Sequence, residues 1–340
     1  MKIHNVIEEK AREIDFSGVV WRQDKNGVVY KSVHGYANRS DRLPNKVETR
    51  FGIASGCKLF TAIAIGRLVQ EGKLSFETKI SEVLTFSDFP HFDKGITVHH
   101  LLTHTSGIPD YFEEEEMEDY EDLWKGRPMY QIRQMEDFLP MFQHGEMMFT
   151  PGERFHYNNA GFVLLGMVVE RVTRESFTRY VEQNIFLPCE MKDSGYFSFD
   201  QLPADTATGY IDNEDGTWRS NIYSLPVKGG ADGGAYITAP DMAKLWTALM
   251  ERELLNEEIT SLLLTPHVEV GKDEYYGYGI WIDKRNDAIY KYHVMGYDPG
   301  VSFASGYYPD SGSILVISSN RGAGPHKLMA VAEEYFERGK

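Results

Sequence analysis

The chain has 340 residues, of which 42% are hydrophobic and 13% aromatic; this composition predicts a globular fold with a sizeable core, as one mixed domain, two lobes sharing a cleft, or two domains. The formal net charge of −16 argues against a nucleic-acid partner, because binding to phosphate needs a positive surface. The same charge disfavours unaided docking to anionic lipid.

The first residues, MKIHNVIEEKAREID, have the spacing of a short amphipathic helix and lack the apolar core of a signal peptide. No apolar run is long enough to span a bilayer. Cys57 and Cys189 allow one disulfide but no disulfide framework. The sequence as it stands predicts a cytoplasmic protein, or an exported one if a leader was trimmed, and it does not indicate an oligomeric state.

Strand-like runs occur near both ends of the chain. Residues 17–36 predict a hairpin, with GVVWRQ and VVYKSV on either side of the turn residues DKNG. From about residue 59 the apolar spacing is helical, first in LFTAIAIGRLVQEGKL and later in MAKLWTALMERELL. Four strand-like segments then form an antiparallel meander, YGYGIWID, IYKYHVM, VSFASGYYP and SGSILVISSN, and a last helix follows in HKLMAVAEEYFERG.

These elements predict an α+β fold, with an antiparallel sheet that is built from both chain ends, flanked by helices, and interrupted by an inserted, mostly helical lobe. Within a single domain we place the sheet lobe at about residues 1–58 and 270–340. The helical lobe takes about residues 59–269. A cleft is expected where the sheet and the helical lobe meet.

Three polar segments invite other interpretations. Residues 110–122, DYFEEEEMEDYED, could form a cation site or a docking surface, but a mobile, solvated loop is favoured. The segment GGADGG at residues 229–234 lacks the Lys and Thr of a phosphate loop and is expected beside the cleft. His99, His100 and His104 have no carboxylate partner that the sequence places with them, so we predict neither a metal nor another cofactor.

Ser55 and Lys58 are the candidate nucleophile and base. They are three residues apart just before an apolar helix, so they share one face if the helix starts near Ser55. A serine hydroxyl needs a nearby base, and a lysine amine can be that base. The helix N-terminus would favour an oxyanion. The alternative is a capping serine with a surface lysine, and Cys57 is interpreted as a packing residue.

Two further segments carry candidate site residues. Tyr157 could shuttle a proton and Asn159 could offer its carboxamide to a substrate. The alternative is a buried tyrosine and a capping asparagine, which are common before a helix. His293 lies on an inferred strand and could place a charge or a proton near the site. Gly296, on the same strand, would let a ligand approach backbone N–H groups. An edge-strand histidine with a structural glycine is the alternative.

The chain resembles the serine β-lactamase and penicillin-binding protein superfamily. It is most similar to the branch with class C β-lactamases, D-alanyl-D-alanine carboxypeptidases, D-amino-acid peptidases and related esterases. Ser55 and Lys58 match the Ser-x-x-Lys signature, Tyr157 and Asn159 match Tyr-x-Asn, and His293 falls where relatives carry a lysine or histidine. Supporting stretches run in the family's order from about residue 51 to residue 320: LLTHTSGI from residue 101, the Pro-Gly run before Tyr157, and the Gly-Gly pair at residues 233–234.

The resemblance implies a serine hydrolase that acts on an amide or ester of a small molecule or peptide through an acyl-enzyme. Ser55 would be acylated, Lys58 and Tyr157 would share the proton transfers, and Asn159 would orient the acyl side. Backbone N–H groups of Ser55 and of the strand near Gly296 would bind the oxyanion. A catalytically weak or inactive penicillin-binding-like sensor on the same fold is the alternative.

The third family element departs from the usual pattern. Relatives commonly show Lys-Thr-Gly or His-x-Gly there, whereas this chain has His293, Val294 and Met295, with Gly296 one place later. Met295 at a position that is usually glycine would narrow the site. Val294 would remove a hydroxyl that helps to hold a substrate carboxylate. The departure therefore disfavours a strong β-lactamase or a peptidase that recognises a free C-terminal carboxylate, and it favours an esterase or a peptidase for another substrate.

Overall fold

The alternating and apolar runs near the two ends of the chain form one large sheet in the computed structural model, which describes residues 3–113, 117 and 120–338. The strands are β1 (Gly18–Asp24), β2 (Gly27–His34), β3 (Tyr36–Asn38), β4 (Leu43–Pro44), β5 (Phe51–Gly52), β6 (Tyr210–Asp212), β7 (Trp218–Ser220), β8 (Tyr236–Ile237), β9 (Val268–Gly271), β10 (Glu274–Tyr276), β11 (Trp281–Arg285), β12 (Ala288–Asp298), β13 (Val301–Tyr308) and β14 (Ser313–Ser319).

Helices cover the sheet and fill the middle of the chain. They are α1 (Ile3–Glu13), α2 (Lys58–Gln70), α3 (Val98–Leu102), α4 (Leu123–Gly126), α5 (Asn159–Thr173), α6 (Phe177–Val181), α7 (Ala239–Met250), α8 (Glu257–Leu263) and α9 (Pro325–Arg338). In the part of the chain that the structure describes, none of them is both long enough and apolar enough to cross a membrane.

The main sheet contains eight antiparallel strands in the order β2-β1-β14-β13-β12-β11-β10-β9. Its strands come from both chain ends, so the predicted fold class is confirmed, as is the N-terminal hairpin of β1 and β2. The edge strand β9 and its neighbour β10 were not predicted. They are short, and their segment HVEVGKDEYY carries charged residues that obscure a strand pattern.

The two faces of the sheet pack against different helices because neighbouring side chains on a strand point in opposite directions. Ala304 and Ile317 face α1 and α9 and pack there in a small apolar cluster. Phe303 and Val316, one residue away on each strand, belong instead to the main core with α2 and α5. Since both faces are covered, every residue of β14 is buried.

Helix α2 is the central helix of the helical lobe. Its residues from Lys58 to Gly66 are all buried, which is typical of a helix that is surrounded by other elements. A side chain at Gly66 would crowd Leu255 and Ile259, so glycine permits the close approach to α8. Lys58 is the one charged residue among the buried residues of α2, and its position leads directly to the candidate site.

Candidate active site

A short 3-10 turn, Ala54–Cys57, holds Ser55 and runs directly into α2. Ala54 has a φ of 45°, in the left-handed region that residues with a side chain rarely adopt, and such strain is often found at functional sites. A side chain at Gly56 would lie 2.7 Å from the ring of Phe303. The turn is therefore pressed against the sheet, with Ser55 facing a cavity.

The two cysteines do not form the disulfide that the composition allowed. Cys57 and Cys189 are both free and buried, and burial raises the pKa of each thiol to about 12. The Cys57 thiol donates to the backbone oxygen of Gly230, in agreement with its interpretation as a packing residue.

Lys58 lies beneath Ser55 and is only 2% exposed. Its Nζ donates to Ser55 Oγ at 2.8 Å, to Asn159 Oδ1 at 2.8 Å and to the backbone oxygen of Asp232 at 2.8 Å. These three acceptors can satisfy all three protons of an ammonium group. The alternative of a surface lysine is therefore wrong, because Lys58 is fixed against the hydroxyl that it would activate.

Tyr157 covers the other side of the ammonium group. The Lys58 Nζ lies 4.9 Å from the centre of its ring, within the range of a cation–π contact. The ring stacks on Trp281, with centroids 6.3 Å apart and an interplanar angle of 17°. It also touches the buried ring of His104, at a centroid distance of 4.4 Å. Both Tyr157 and Trp281 line the cavity.

His104, which was considered above as a metal ligand, packs its ring against that of Tyr157. Its Nδ1 accepts from the backbone N–H of Asn158 at 3.0 Å, so Nε2 carries the proton of the neutral ring. Burial, followed by the charge of Lys58, keeps the pKa of His104 well below its usual value. Among the residues that the structure describes, no group of three or more His, Cys, Asp or Glu side chains could hold a metal.

Asp110 and Asn159 connect the site to the start of α5. Asn159 Oδ1 accepts a hydrogen bond from Lys58 Nζ, and the side-chain nitrogen of Asn159 donates to Asp110 Oδ2 at 3.2 Å. Asp110 also accepts the backbone N–H groups of Tyr111, Asn159 and Ala160 at 2.6 to 2.8 Å. Burial raises the pKa of the Asp110 carboxyl to about 7. The structure thus gives Asn159 a role in positioning Lys58, in addition to its exposure to the cavity.

The segment at residues 229–234 borders the cavity as expected. Asp232 presents its backbone oxygen to Lys58, and its carboxylate accepts a short hydrogen bond from the hydroxyl of Tyr111. Burial raises the pKa of Asp232, and the charge of Lys58 opposes that rise. Neither Asp110 nor Asp232 was predicted as a site residue. Asp110 was hidden at the head of the acidic stretch, and nothing in the sequence separates it from its acidic neighbours.

The acidic stretch is not simply a solvated loop. Asp110 is buried, and Tyr111, Phe112, Met117 and Tyr120 line the cavity. Residues 114–116, 118 and 119 lie outside the described residues. The favoured interpretation of residues 110–122 is therefore wrong for both ends of the stretch, where aromatic side chains among the acids provide the apolar surface that anchors them.

Strand β12 passes directly beside the nucleophile turn. A methyl group at Gly296 would overlap the backbone oxygen of Ile53 and lie 2.9 Å from the backbone nitrogen of Ser55. The neighbouring strand β11 pairs with β12 only as far as His293, opposite Trp281. Beyond that pair, no strand of the described residues pairs with residues 294–298 of β12 on this edge, and residues 295–298 line the cavity.

The structure does not bring His293 to the cavity. Its ring is 5% exposed and bonds to Asp283 Oδ1 at 3.0 Å, behind Trp281. Burial lowers the pKa of His293, and the hydrogen bond to Asp283 opposes this change. Of the residues of this element, Gly296 is the one that touches the nucleophile turn. The effect of Met295, which lines the cavity, stays a prediction.

The cavity has a volume of about 560 Å³, which suits a small-molecule ligand. Aromatic side chains dominate its wall, among them Tyr111, Phe112, Tyr120, Phe199, Tyr236 and Trp281. Ser55, Tyr157 and Asn159 lie among its polar groups, which also include Asp232 and Asp298. This arrangement suits nucleophilic attack on a carbonyl, because a serine, a bonded lysine and an open strand edge converge at one end of an apolar cavity.

A family model described as Beta-lactamase matches residues 3–337. The chain belongs to the β-lactamase family. Two solved structures are similar to this family member along almost its whole length. A penicillin binding protein from Bacillus halodurans is 56% identical, with a TM-score of 0.93 and coverage of 98% of this chain and 100% of that one. An octameric penicillin-binding protein homologue from Pyrococcus abyssi is 29% identical, with a TM-score of 0.87 and coverage of 99% and 77%.

A curated relative of this β-lactamase-family chain is a penicillin-binding protein of Bacillus subtilis. It is 26% identical over 341 residues, which cover 94% of this chain and 71% of the relative. These matches confirm the family resemblance and the enzyme class that the sequence predicted, a serine hydrolase. Val294, which follows His293 on β12, is 3% exposed and belongs to the main core.

Proposed function

We propose that the chain hydrolyses an amide or ester by forming an acyl-enzyme at Ser55. The observation that carries this proposal is the position of Lys58, whose Nζ is 2.8 Å from Ser55 Oγ at the floor of the aromatic cavity. A lysine that is 2% exposed and held by three acceptors cannot turn away from the serine without leaving polar groups unsatisfied. Its geometry is that of a nucleophile and base pair.

Acylation requires that Lys58 first passes one of its three ammonium protons to solvent or substrate, or that Tyr157 is a phenolate. Ser55 Oγ then attacks the carbonyl carbon and loses its proton to the free amine of Lys58 or to the phenolate of Tyr157. The negative oxygen that forms is stabilised by backbone N–H groups of Ser55 and of the open β12 edge near Gly296. The proton then moves to the leaving amine or alcohol as its bond to the carbonyl breaks. Water attacks the acyl-enzyme next, the same groups accept and return its proton, and Ser55 is released as a hydroxyl.

A second candidate is a sensor that acylates and then releases the acyl group slowly or not at all. The observation in its favour is the altered third element: His293 is buried away from the cavity, Val294 is apolar and buried, and the described residues of the cavity wall include no Lys, Arg or His. Loss of a charged group beside the reacting centre reduces the control of proton transfers. The two candidates differ only in the fate of the acyl-enzyme, so one experiment separates them.

Intact-mass spectrometry after incubation with a fluorophosphonate or, separately, a β-lactam tests the proposal. We expect the wild type to gain one adduct that Ser55→Ala does not form. Ser261→Ala, which changes an exposed serine on α8, is the control and should label normally. Equal labelling of Ser55→Ala, or no adduct with either reagent, would refute the proposal. A β-lactam adduct that persists for hours would favour the sensor, and one that disappears as product accumulates would favour the hydrolase.

A further inference from the structure

A second recess is separate from the active-site cavity, because the two share no lining residue among those that the structure describes. It lies where the end of α1, the segment from β2 to β4, the β6–β7 hairpin and the residue range after β14 meet. Its volume is about 740 Å³, which is enough for a small-molecule ligand. Nothing in the proposed hydrolysis uses it.

Arginine side chains give this recess a positive charge in a chain whose formal net charge is −16. Four guanidinium groups line it, those of Arg12, Arg39, Arg42 and Arg321, and we call it the arginine recess. Only two carboxylates oppose them in its wall, those of Asp15 and Asp212, so positive charges exceed negative ones by two. His34 also lines it, and burial lowers the pKa of this ring, which is therefore neutral at neutral pH.

Two of the arginines are fixed in place by the carboxylates. Asp212 accepts from Arg39 Nη1 at 2.6 Å and from Arg321 Nε at 2.7 Å. Asp15 accepts from Arg321 Nη1 at 2.8 Å, and the Arg39 guanidinium lies 4.6 Å from the ring centre of Tyr210. A guanidinium group has five N–H donors. These bonds therefore leave donors on both groups, among them those of Arg321 Nη2, which bonds to no other described residue.

The other two arginines have no carboxylate partner among the described residues. Arg12 Nε donates to the backbone oxygen of Glu8 at 3.1 Å. The side chain of Arg42 is exposed and forms no hydrogen bond or ion pair within the described chain. Arg42 also has a φ of 53°, in the left-handed region that asparagine and glycine adopt more readily than arginine. No contact of its side chain within the described chain compensates for this backbone strain.

Two exposed aromatic rings complete the arginine recess. Tyr36 is 46% exposed and Trp218 is 40% exposed, and both line it. An edge-on contact with Tyr210, at a centroid distance of 4.9 Å, supports the ring of Trp218. Large exposed rings beside guanidinium groups offer a stacking surface to a flat part of a ligand.

We propose that the arginine recess binds a small phosphomonoester that carries a flat ring. A phosphomonoester has about −1.5 to −2 charges at neutral pH, which matches the two positive charges that the wall has in excess. Guanidinium groups bind phosphate oxygens through parallel N–H donors, and the rings of Tyr36 and Trp218 would stack on the ring of the ligand. The site uses no residue of the proposed hydrolase mechanism.

Isothermal titration calorimetry at low salt tests the ligand class with four probes. Phenyl phosphate and adenosine 5′-monophosphate have both a phosphate and a flat ring, ribose 5-phosphate has no flat ring, and adenosine has no phosphate. We expect at least one of the first two to bind with a Kd below about 1 mM, and the last two to bind at least about tenfold more weakly. Failure of both ring-bearing phosphates to bind, or equal affinities for all four probes, would overturn the inference.

Arg42→Asn locates the binding, because asparagine suits the left-handed backbone and removes the guanidinium group. We expect this variant to bind the ring-bearing phosphates about tenfold more weakly at an unchanged melting temperature. Arg174→Asn is the matched control, because Arg174 is exposed, has a φ of 64° and ends α5 outside the recess. It should bind as the wild type does. No loss in Arg42→Asn, or an equal loss in both variants, contradicts the proposed site.

Two further comparisons test the rings and the location. Trp218→Leu and Tyr36→Leu together should remove the advantage of the ring-bearing phosphates over ribose 5-phosphate, and an advantage that survives both changes refutes the stacking. Ser55→Ala should bind the probes as the wild type does, whether or not Ser55 is the nucleophile. Weaker binding in Ser55→Ala with wild-type binding in Arg42→Asn would place the phosphate in the active-site cavity and overturn the inference.

Discussion

Replacement of Gly296 by alanine tests the contact between β12 and the nucleophile turn. The new methyl group would overlap the backbone oxygen of Ile53 and lie 2.9 Å from the backbone nitrogen of Ser55 and 3.0 Å from Ala54 Cβ. An ordinary carbon–oxygen contact is about 3.3 Å or longer, so the two backbones must separate by roughly 1 Å. A displacement of this size at an oxyanion site is expected to reduce the rate about a hundred- to a thousandfold.

The rate of acylation by a fluorophosphonate, followed by intact mass, reports this loss directly, and p-nitrophenyl ester hydrolysis gives kcat. Gly306→Ala is the control, because a methyl group there would have its nearest neighbour at 3.5 Å, on the adjacent strand of the same sheet. We expect a loss of about 1–3 kcal/mol in the free energy of unfolding for Gly296→Ala, so circular dichroism must first show that the variant is folded. A folded Gly296→Ala variant that acylates at the wild-type rate would refute the placement of the oxyanion site.

Three further predictions follow from the site. Burial raises the pKa of Asp110 to about 7, above its value near 4 in an unfolded chain, so between these pH values the folded state binds a proton that the unfolded state does not. The free energy of unfolding of the wild type relative to Asp110→Asn should therefore fall as pH rises from about 4 to about 7 and then level off. A pH-independent difference in denaturant titrations would contradict this. Tyr157→Phe keeps the ring on Trp281 but loses the hydroxyl, so ester turnover should fall about a hundred- to ten-thousandfold with an unchanged melting temperature; a wild-type rate would exclude the hydroxyl from proton transfer. His293→Ala removes the bond to Asp283 Oδ1, leaves Asp283 only its ion pair with Lys291, and should lower the free energy of unfolding by about 1–3 kcal/mol at unchanged kcat/KM. A raised KM with full stability would show instead that His293 serves the substrate.

Local spacing raised the residues that the structure brings together as candidates, and the family resemblance selected them over the structural alternatives. Ser55 and Lys58 are one helical turn apart, so their proximity depends only on the turn that leads into α2. Tyr157 and Asn159 precede an apolar helix, and the contact of Asn159 with Lys58 then follows from the packing of α2 against α5. Their roles in catalysis stay predictions until the variants are measured.

The spacing of residues in the sequence could not predict the register of β12. A shift of one residue along a strand moves every side chain to the opposite face, and YHVMGYD contains no turn or charge pattern that fixes which residue faces Ser55. His293 was assigned to the site because its side chain can carry a charge. The glycine decides the register in the folded chain, because only Gly296 allows β12 to approach Ile53 and Ser55.

The acidic residues of the site were hidden for a different reason. Asp110 is one of many acids in its segment, and only its burial at the start of α5 distinguishes it from the rest. Asp298 lies 243 positions after Ser55 in the sequence. It lines the cavity because β12 pairs with β13 in the sheet. The sequence shows that such residues carry a negative charge, but their distance from the reacting atoms depends on how the complete sheet folds.

The pairing of β1 with β14 has a consequence for the way the protein is made. Ser17, just before β1, bonds to Asn320, just after β14, across 303 positions of sequence. During synthesis the β1–β2 hairpin must therefore wait, with Val19 and Val20 uncovered, until nearly the whole chain has left the ribosome. Gly296 and the β12 edge arrive in the same late segment, so an incomplete chain would hold Ser55 and Lys58 without the strand that faces them. The time at which the chain becomes able to react with a fluorophosphonate can therefore report the last step of folding.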